Sequence, residues 1–158
     1  MNALLEIAGQ ICKILIPVHG EVFYGKPRSN VGICTLSSMN LLKEIASSDL
    51  LEKIAVAGRL LSENKGIDVL IKYVTKNPTL DTIIVCGAEV SGHLAGHSLL
   101  LLHKYGVDQN NRIANSPSPD PVLVSSEAEI RQFQRQVKII DMIGNTSLDE
   151  IRSAAGSL

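Results

Sequence analysis

The sequence predicts an α/β domain with a mainly parallel sheet, and three observations lead there. Apolar, β-branched runs of strand length alternate with stretches of helical periodicity. Each predicted strand closes on small residues: Thr35 and Ser37, then Gly58, then Gly87. A hydrophobic content of 45% with only 3% aromatic residues describes an aliphatic sheet covered on both faces by helices. Together these define a single Rossmann-like, three-layer domain with right-handed crossovers between parallel strands.

The elements follow in order. Residues 1–16 carry Leu4, Ile7, Ala8, Ile11 and Leu15 at helical spacing, and Pro17 and Gly20 end that helix. Residues 1–20 thus form an N-terminal helical unit ahead of the domain proper at 21–145. A loop over 23–30 feeds a strand at 31–36. Ser37 or Ser38 is placed to cap a helix over 39–45 with Leu41, Leu42 and Ile45 on one face. A second strand at 54–57 is closed by Gly58, and a helix over 64–76 presents Ile67, Leu70, Ile71 and Val74 until Asn77-Pro78 stops it. The third strand, 82–87, is β-branched and apolar throughout, and its helix is expected over 92–105. A polar loop over 108–120 is long for a connection and reads as a rim or lid. After it come a short strand at 122–124 and an amphipathic helix over 126–143 with Ile130, Phe133, Val137 and Ile140. Ser147 with Glu150 forms a capping box for a last short helix within 146–158.

Bulk properties exclude several classes. A net charge of -1 gives no electrostatic footprint for nucleic acid, and a chain without Trp supplies few stacking platforms. No run approaches the ~20 apolar residues of a spanning helix, and the N-terminal stretch carries Glu6, Gln10 and Lys13 rather than a basic leader. The 3 cysteines make no C-x-x-C pair, so the expectation is a reduced, cytoplasmic, soluble protein.

The chemistry concentrates after the third strand, where open α/β sheets bind their ligands. His93, His97 and His103, three of the 4 histidines, fall between 93 and 103. On one continuous helix His93 and His97 share a side. They could bridge a divalent ion, although residue 94 is Leu where a zinc hydrolase has Glu and no third ligand is apparent. Alternatively, one imidazole could bind a metal already held by a cofactor. The plain reading makes such histidines ordinary surface residues. His93 stands apart because Gly92 and Gly96 clear space around it for a bulky group. Neither G-x-G-x-x-G nor a P-loop occurs, so a nucleotide site carries no fingerprint. Glu63 and Asn64 read as a helix cap with an exposed acid, or as donors and acceptors for a ligand.

Five stretches then resemble a known family: YGKPRSNVGICTLS at 24–37, AGRLLSENKGI at 57–67, NP at 77–78, CGAEVSGHLAG at 86–96 and FQRQV at 133–137. They are similar to the A subunit of tetrahydromethanopterin S-methyltransferase over residues 21 to 143. The resemblance implies a Rossmann-like domain carrying a cobamide, a cobalamin-type cofactor. Cobalt there takes a methyl group from N5-methyl-tetrahydromethanopterin and passes it to the thiol of coenzyme M, with sodium translocation across an archaeal membrane. It implies His93 as the axial cobalt ligand and the residue at the reacting centre. The rest of the expected cofactor-binding set is Thr35, Ser37, Gly58, Leu60 and Asn64 on the first two strand ends. Gly87, Val90, Leu94, Gly96 and His97 complete it on the third. It also implies other methyltransferase subunits as partners, since no acid–base pair is evident here.

The sequence departs from related patterns in three places. Many cobalamin domains use D-x-H-x-x-G, with the Asp on the ligand histidine; here Ser91 stands in that place. Residues 115–121, NSPSPDP, replace a glycine-rich family segment. The sequence stops at Leu158, where the family continues into a C-terminal membrane anchor; the expectation is either a soluble homologue or a truncated chain, without direct membrane insertion by this stretch. The alternatives are a non-catalytic binding or regulatory module on the same fold, or a nucleotide-binding α/β domain.

Overall fold

The computed structural model describes residues 22–157; the helix predicted over 1–16 lies outside them. They form a mixed α/β domain with a five-stranded sheet and five α-helices. The order is β1 (Val22–Tyr24), β2 (Val31–Cys34), α1 (Met39–Ala46), β3 (Val56–Gly58), α2 (Lys65–Lys76), β4 (Thr82–Gly87), α3 (Ala95–Tyr105), α4 (Glu127–Gln136), β5 (Lys138–Ile143) and α5 (Leu148–Gly156). A 3₁₀ turn at Asp49–Glu52 precedes β3.

The strands lie in the order β1-β3-β2-β4-β5. All neighbours are parallel except the edge pair β1 and β3. The interior strand β4, TIIVCG, is buried along its whole length, as its β-branched run requires of a strand covered on both faces. Alternation divides its side chains between two cores. Ile83 and Val85 join Ile67, Ile71, Leu99, Leu102, Ile130 and Phe133 from α2, α3 and α4. Ile84 and Cys86 join Leu41, Leu42 and Ile45 of α1 and Ile151 of α5.

Three expectations change. The loop predicted over 23–30 starts later, because Val22–Tyr24 pair with Val56–Gly58 as an antiparallel edge strand. The helix predicted over 126–143 ends at Gln136, and Lys138–Ile143 pair with Thr82–Gly87 as β5. Val137 and Ile140 match a helical period by spacing alone. The β-branched run instead alternates, with Ile139 and Ile143 against one core and Ile140 and Met142 against the other. The strand expected at 122–124 is only an isolated bridge, Val122 to Arg112. Ser147 does cap α5, accepting the Glu150 N–H at 3.3 Å.

A candidate site around His93

The carboxyl ends of β2, β3 and β4 share one edge of the sheet, and the loop after β4 is built there. Gly87 has φ +79°, and a Cβ at this position would sit 2.3 Å from the Thr35 carbonyl oxygen; only glycine fits this turn. Ser37 and Ser38 stitch the loop to β2 instead of capping α1. The Ser37 hydroxyl donates to the Ala88 carbonyl at 2.8 Å, and the Ser38 hydroxyl accepts the Ala88 N–H at 2.8 Å.

Glu89 then folds back onto the start of α3. One carboxylate oxygen accepts the Val90 and Gly96 N–H groups at 2.8 and 3.0 Å, and the other accepts the His97 N–H at 2.8 Å. A carboxylate here satisfies unpaired helix N–H groups and meets the positive end of the helix dipole. Gly96 makes the approach possible: a Cβ there would lie 3.0 Å from the Glu89 carboxylate and 2.9 Å from Leu36. The space at Gly96 is therefore filled by the protein's own atoms. Gly92, φ +79° with nothing within 4 Å, is the glycine that leaves the surface open.

His93 does not lie on the helix. It sits in the turn at 91–93, and α3 begins after Leu94, whose backbone is left-handed at φ 48° and ψ 47°. His93 and His97 therefore do not share a helical face. Among the described residues no group of three His, Cys, Asp or Glu side chains is placed to hold a metal ion, so the bridging arrangement lacks donors.

His93 instead pairs with Glu63, five residues beyond the end of β3. Its Nδ1 lies 2.9 Å from Glu63 Oε2; the imidazole side chain is 52% exposed and the Glu63 side chain 2%. The acid expected to face solvent is buried. Burial pushes the Glu63 carboxyl up, but hydrogen bonds from its own and the Asp120 backbone N–H groups, together with His93 and its charge, outweigh burial. They hold the carboxyl below the usual range. An ionised carboxylate can only accept, so the proton between the two groups sits on Nδ1, and in the neutral imidazole this leaves the Nε2 lone pair available. A half-exposed imidazole with a fixed tautomer beside an open Gly92 suits a bulky metal-bearing group that needs one protein ligand.

The other expected residues are placed as follows. Thr35 is fully buried, with no partner for its hydroxyl. Asn64 caps α2 by accepting the Lys65 N–H, and its amide donates to the Asp120 carbonyl at 3.0 Å. Val90 is half-buried, Leu94 37% exposed and His97 exposed, all beside His93 in the chain. Gly58 and Leu60 line a different space, a cavity of about 650 Å³ walled chiefly by β1, β2, β3 and α2. His103 is structural: Nε2 lies 2.7 Å from the Val137 carbonyl, with Phe133 edge-on to the ring. The residues that sequence reasoning missed are Glu63 as the partner of His93, Glu89 as the cap, and the serines at 98, 116 and 118. Ser98 offers one signal, as a hydroxyl within an apolar helical stripe.

The fold thus sets a histidine on a glycine turn at the strand ends of an α/β domain, with its inner nitrogen held by a buried carboxylate. Comparison with known proteins places it more closely. The family model for the A subunit of tetrahydromethanopterin S-methyltransferase matches residues 13–157, and the chain belongs to that family. Among relatives, the A subunit of the methyltransferase Mtx from Methanosarcina acetivorans is 38% identical over 138 residues, 86% of this chain and 66% of the relative. The tetrahydromethanopterin S-methyltransferase A subunit of Methanohalophilus mahii is 32% identical over 136 residues, 85% of this chain and 54% of the relative. The chain thus spans about half to two-thirds of the length of such relatives. Among the described residues no helix is long and apolar enough to cross a membrane.

Proposed function

We propose that this chain is the cobamide-carrying module of a methyltransferase, with His93 as the axial cobalt ligand on a Rossmann-like, three-layer domain. The observation that carries the reading is the His93–Glu63 pair. It orients the ring, keeps Nδ1 protonated and turns Nε2 outward as the donor. When bound, the cobalt supplies a centre that accepts a methyl group and passes it on.

The chain's own residues bind and orient. Gly92 leaves room for a flat macrocycle to approach the backbone. Ser37 and Ser38 fix the root of the loop, and Glu89 fixes its far end. Glu63 takes the place that an Asp two residues before the histidine fills in other cobalamin domains, reaching His93 from the end of β3, with β2 lying between β3 and β4 in the sheet. The names of the relatives support methyl transfer to sulfur with tetrahydromethanopterin as the carrier. On this reading the donor is N5-methyl-tetrahydromethanopterin and the acceptor the thiol of coenzyme M. Both are brought by other subunits, in a cytoplasmic setting.

Titration with hydroxocobalamin, followed by visible absorption, tests this. Wild type is expected to bind and to shift the spectrum, and His93→Ala to lose the histidine-ligated signature. Identical spectra for the two would refute the ligand, and no binding by wild type would refute the cofactor.

A further inference from the structure

The loop at 116–120 holds His93 from a second side. In an ordinary helix start the His93 carbonyl would accept the N–H of His97, four residues on. Glu89 has taken that N–H. The carbonyl accepts instead from the Ser118 hydroxyl at 2.6 Å. A hydroxyl carries one proton, so the order of the neighbouring serines is fixed. Ser98, fully buried on α3, donates to Ser118 at 2.7 Å, and Ser116 donates to Ser98 at 2.8 Å. The chain Ser116, Ser98, Ser118, His93 carbonyl runs one way, each bond polarising the next. The ring is joined to the same loop through Glu63, whose Oε1 accepts the Asp120 N–H at 3.0 Å while Oε2 holds Nδ1.

We infer that Ser118 is a positioning residue for His93, and that the 116–120 loop clamps that histidine directly by its carbonyl and, through Glu63, by its ring. The inference rests on the axial-ligand reading for its purpose and on hydrogen bonds within this chain for its existence. Leu94, left-handed immediately after His93, is held in a strained conformation that the surroundings must enforce, and the bond from Ser118 to the adjoining carbonyl is one such restraint. Turning the ring off Glu63 breaks only the bond to Oε2; Ser118 still holds the His93 carbonyl, and Asp120 stays tied to Glu63 Oε1 and to the Asn64 amide, so the clamp outlasts a change of ring position. The outward side of the loop carries Pro117, Pro119 and Asp120, all exposed.

The test compares wild type, Ser118→Ala and Ser118→Thr without any cofactor, by imidazole ¹⁵N NMR and hydrogen exchange at the Asp120 amide. Ser118→Ala is expected to mix the His93 tautomers and raise Asp120 exchange at least tenfold. Ser118→Thr, which keeps the hydroxyl, restores both. A purely structural serine would leave the tautomer ratio alone, and an unchanged His93 signal in Ser118→Ala would overturn the proposal. If Ser118→Ala does not fold, Ser98→Ala, one link back, is read the same way. In a parallel titration Ser118→Ala weakens hydroxocobalamin binding about tenfold. Wild type failing to bind would count against the axial-ligand reading alone, since the cofactor-free measurements decide the clamp separately.

Discussion

Glu63 Oε2 stands 2.9 Å from His93 Nδ1 across 30 residues of chain, and the carboxylate is buried while the ring is half in solvent. This asymmetry ties stability to the acid's charge. Because its carboxyl is held below the usual range, the ionised form favours folding above about pH 4.3, the ordinary value. That contribution disappears as pH falls through the depressed folded value. Glu63→Gln is expected to be less stable than wild type at pH 7 by about 1–3 kcal/mol, with a shallower decline on acidification. Urea unfolding at pH 7 and pH 3.5 checks this; parallel losses in the two proteins would contradict it.

Gly87→Ala is expected to be severe. It combines a left-handed backbone with a Cβ 2.3 Å from the Thr35 carbonyl oxygen, and neither can relax without moving β2 from β4. A loss of more than about 2 kcal/mol is expected, against almost none for Gly92→Ala beyond its φ strain of about 1 kcal/mol. Chemical denaturation of the two variants side by side distinguishes packing from conformation.

Glu89→Ala removes acceptors for three backbone N–H groups and is expected to cost about 1–2 kcal/mol, as lost helix caps do. Glu89→Gln keeps an acceptor oxygen but loses the charge facing the helix dipole, and about 0.3–1 kcal/mol is expected. Thermal melts rank the two; a larger loss for Gln than for Ala would reject the capping role.

Burial pushes the thiols of Cys34 and Cys86 up to about 12. At pH 8 only about one in 10⁴ of each is thiolate, the reactive form. Iodoacetamide should leave both untouched in the native protein and label them in urea, as peptide mass mapping would show. Rapid native labelling at either position would mean that its core opens.

The central sheet was legible because its signals are local. Thr82–Gly87 is a strand whatever surrounds it, and the helix over 65–76 has both its apolar face and its stop at Asn77-Pro78. The second half of the predicted 126–143 helix was not legible. Ile130, Phe133, Val137 and Ile140 satisfy a helical period, and only pairing with β4, an interaction about 55 residues distant, selects the extended form. The site divides the same way. His93 was singled out by its glycine-framed loop, while Glu63 and Ser118 reach it across 30 and 25 residues. Nothing near either of them in sequence names its partner.

The carboxylate on the first turn of α3 bears on what the site refuses. In many α/β proteins this position, the helix start after a strand, is where a phosphate group settles. Here the two donors from Gly96 and His97 are already engaged by the two oxygens of Glu89. An incoming nucleotide would have to displace an acid fixed to its own backbone, and would meet like charge while doing so. The chain thus carries its own internal anion at this helix start, and a phosphate group arriving there finds both donors taken.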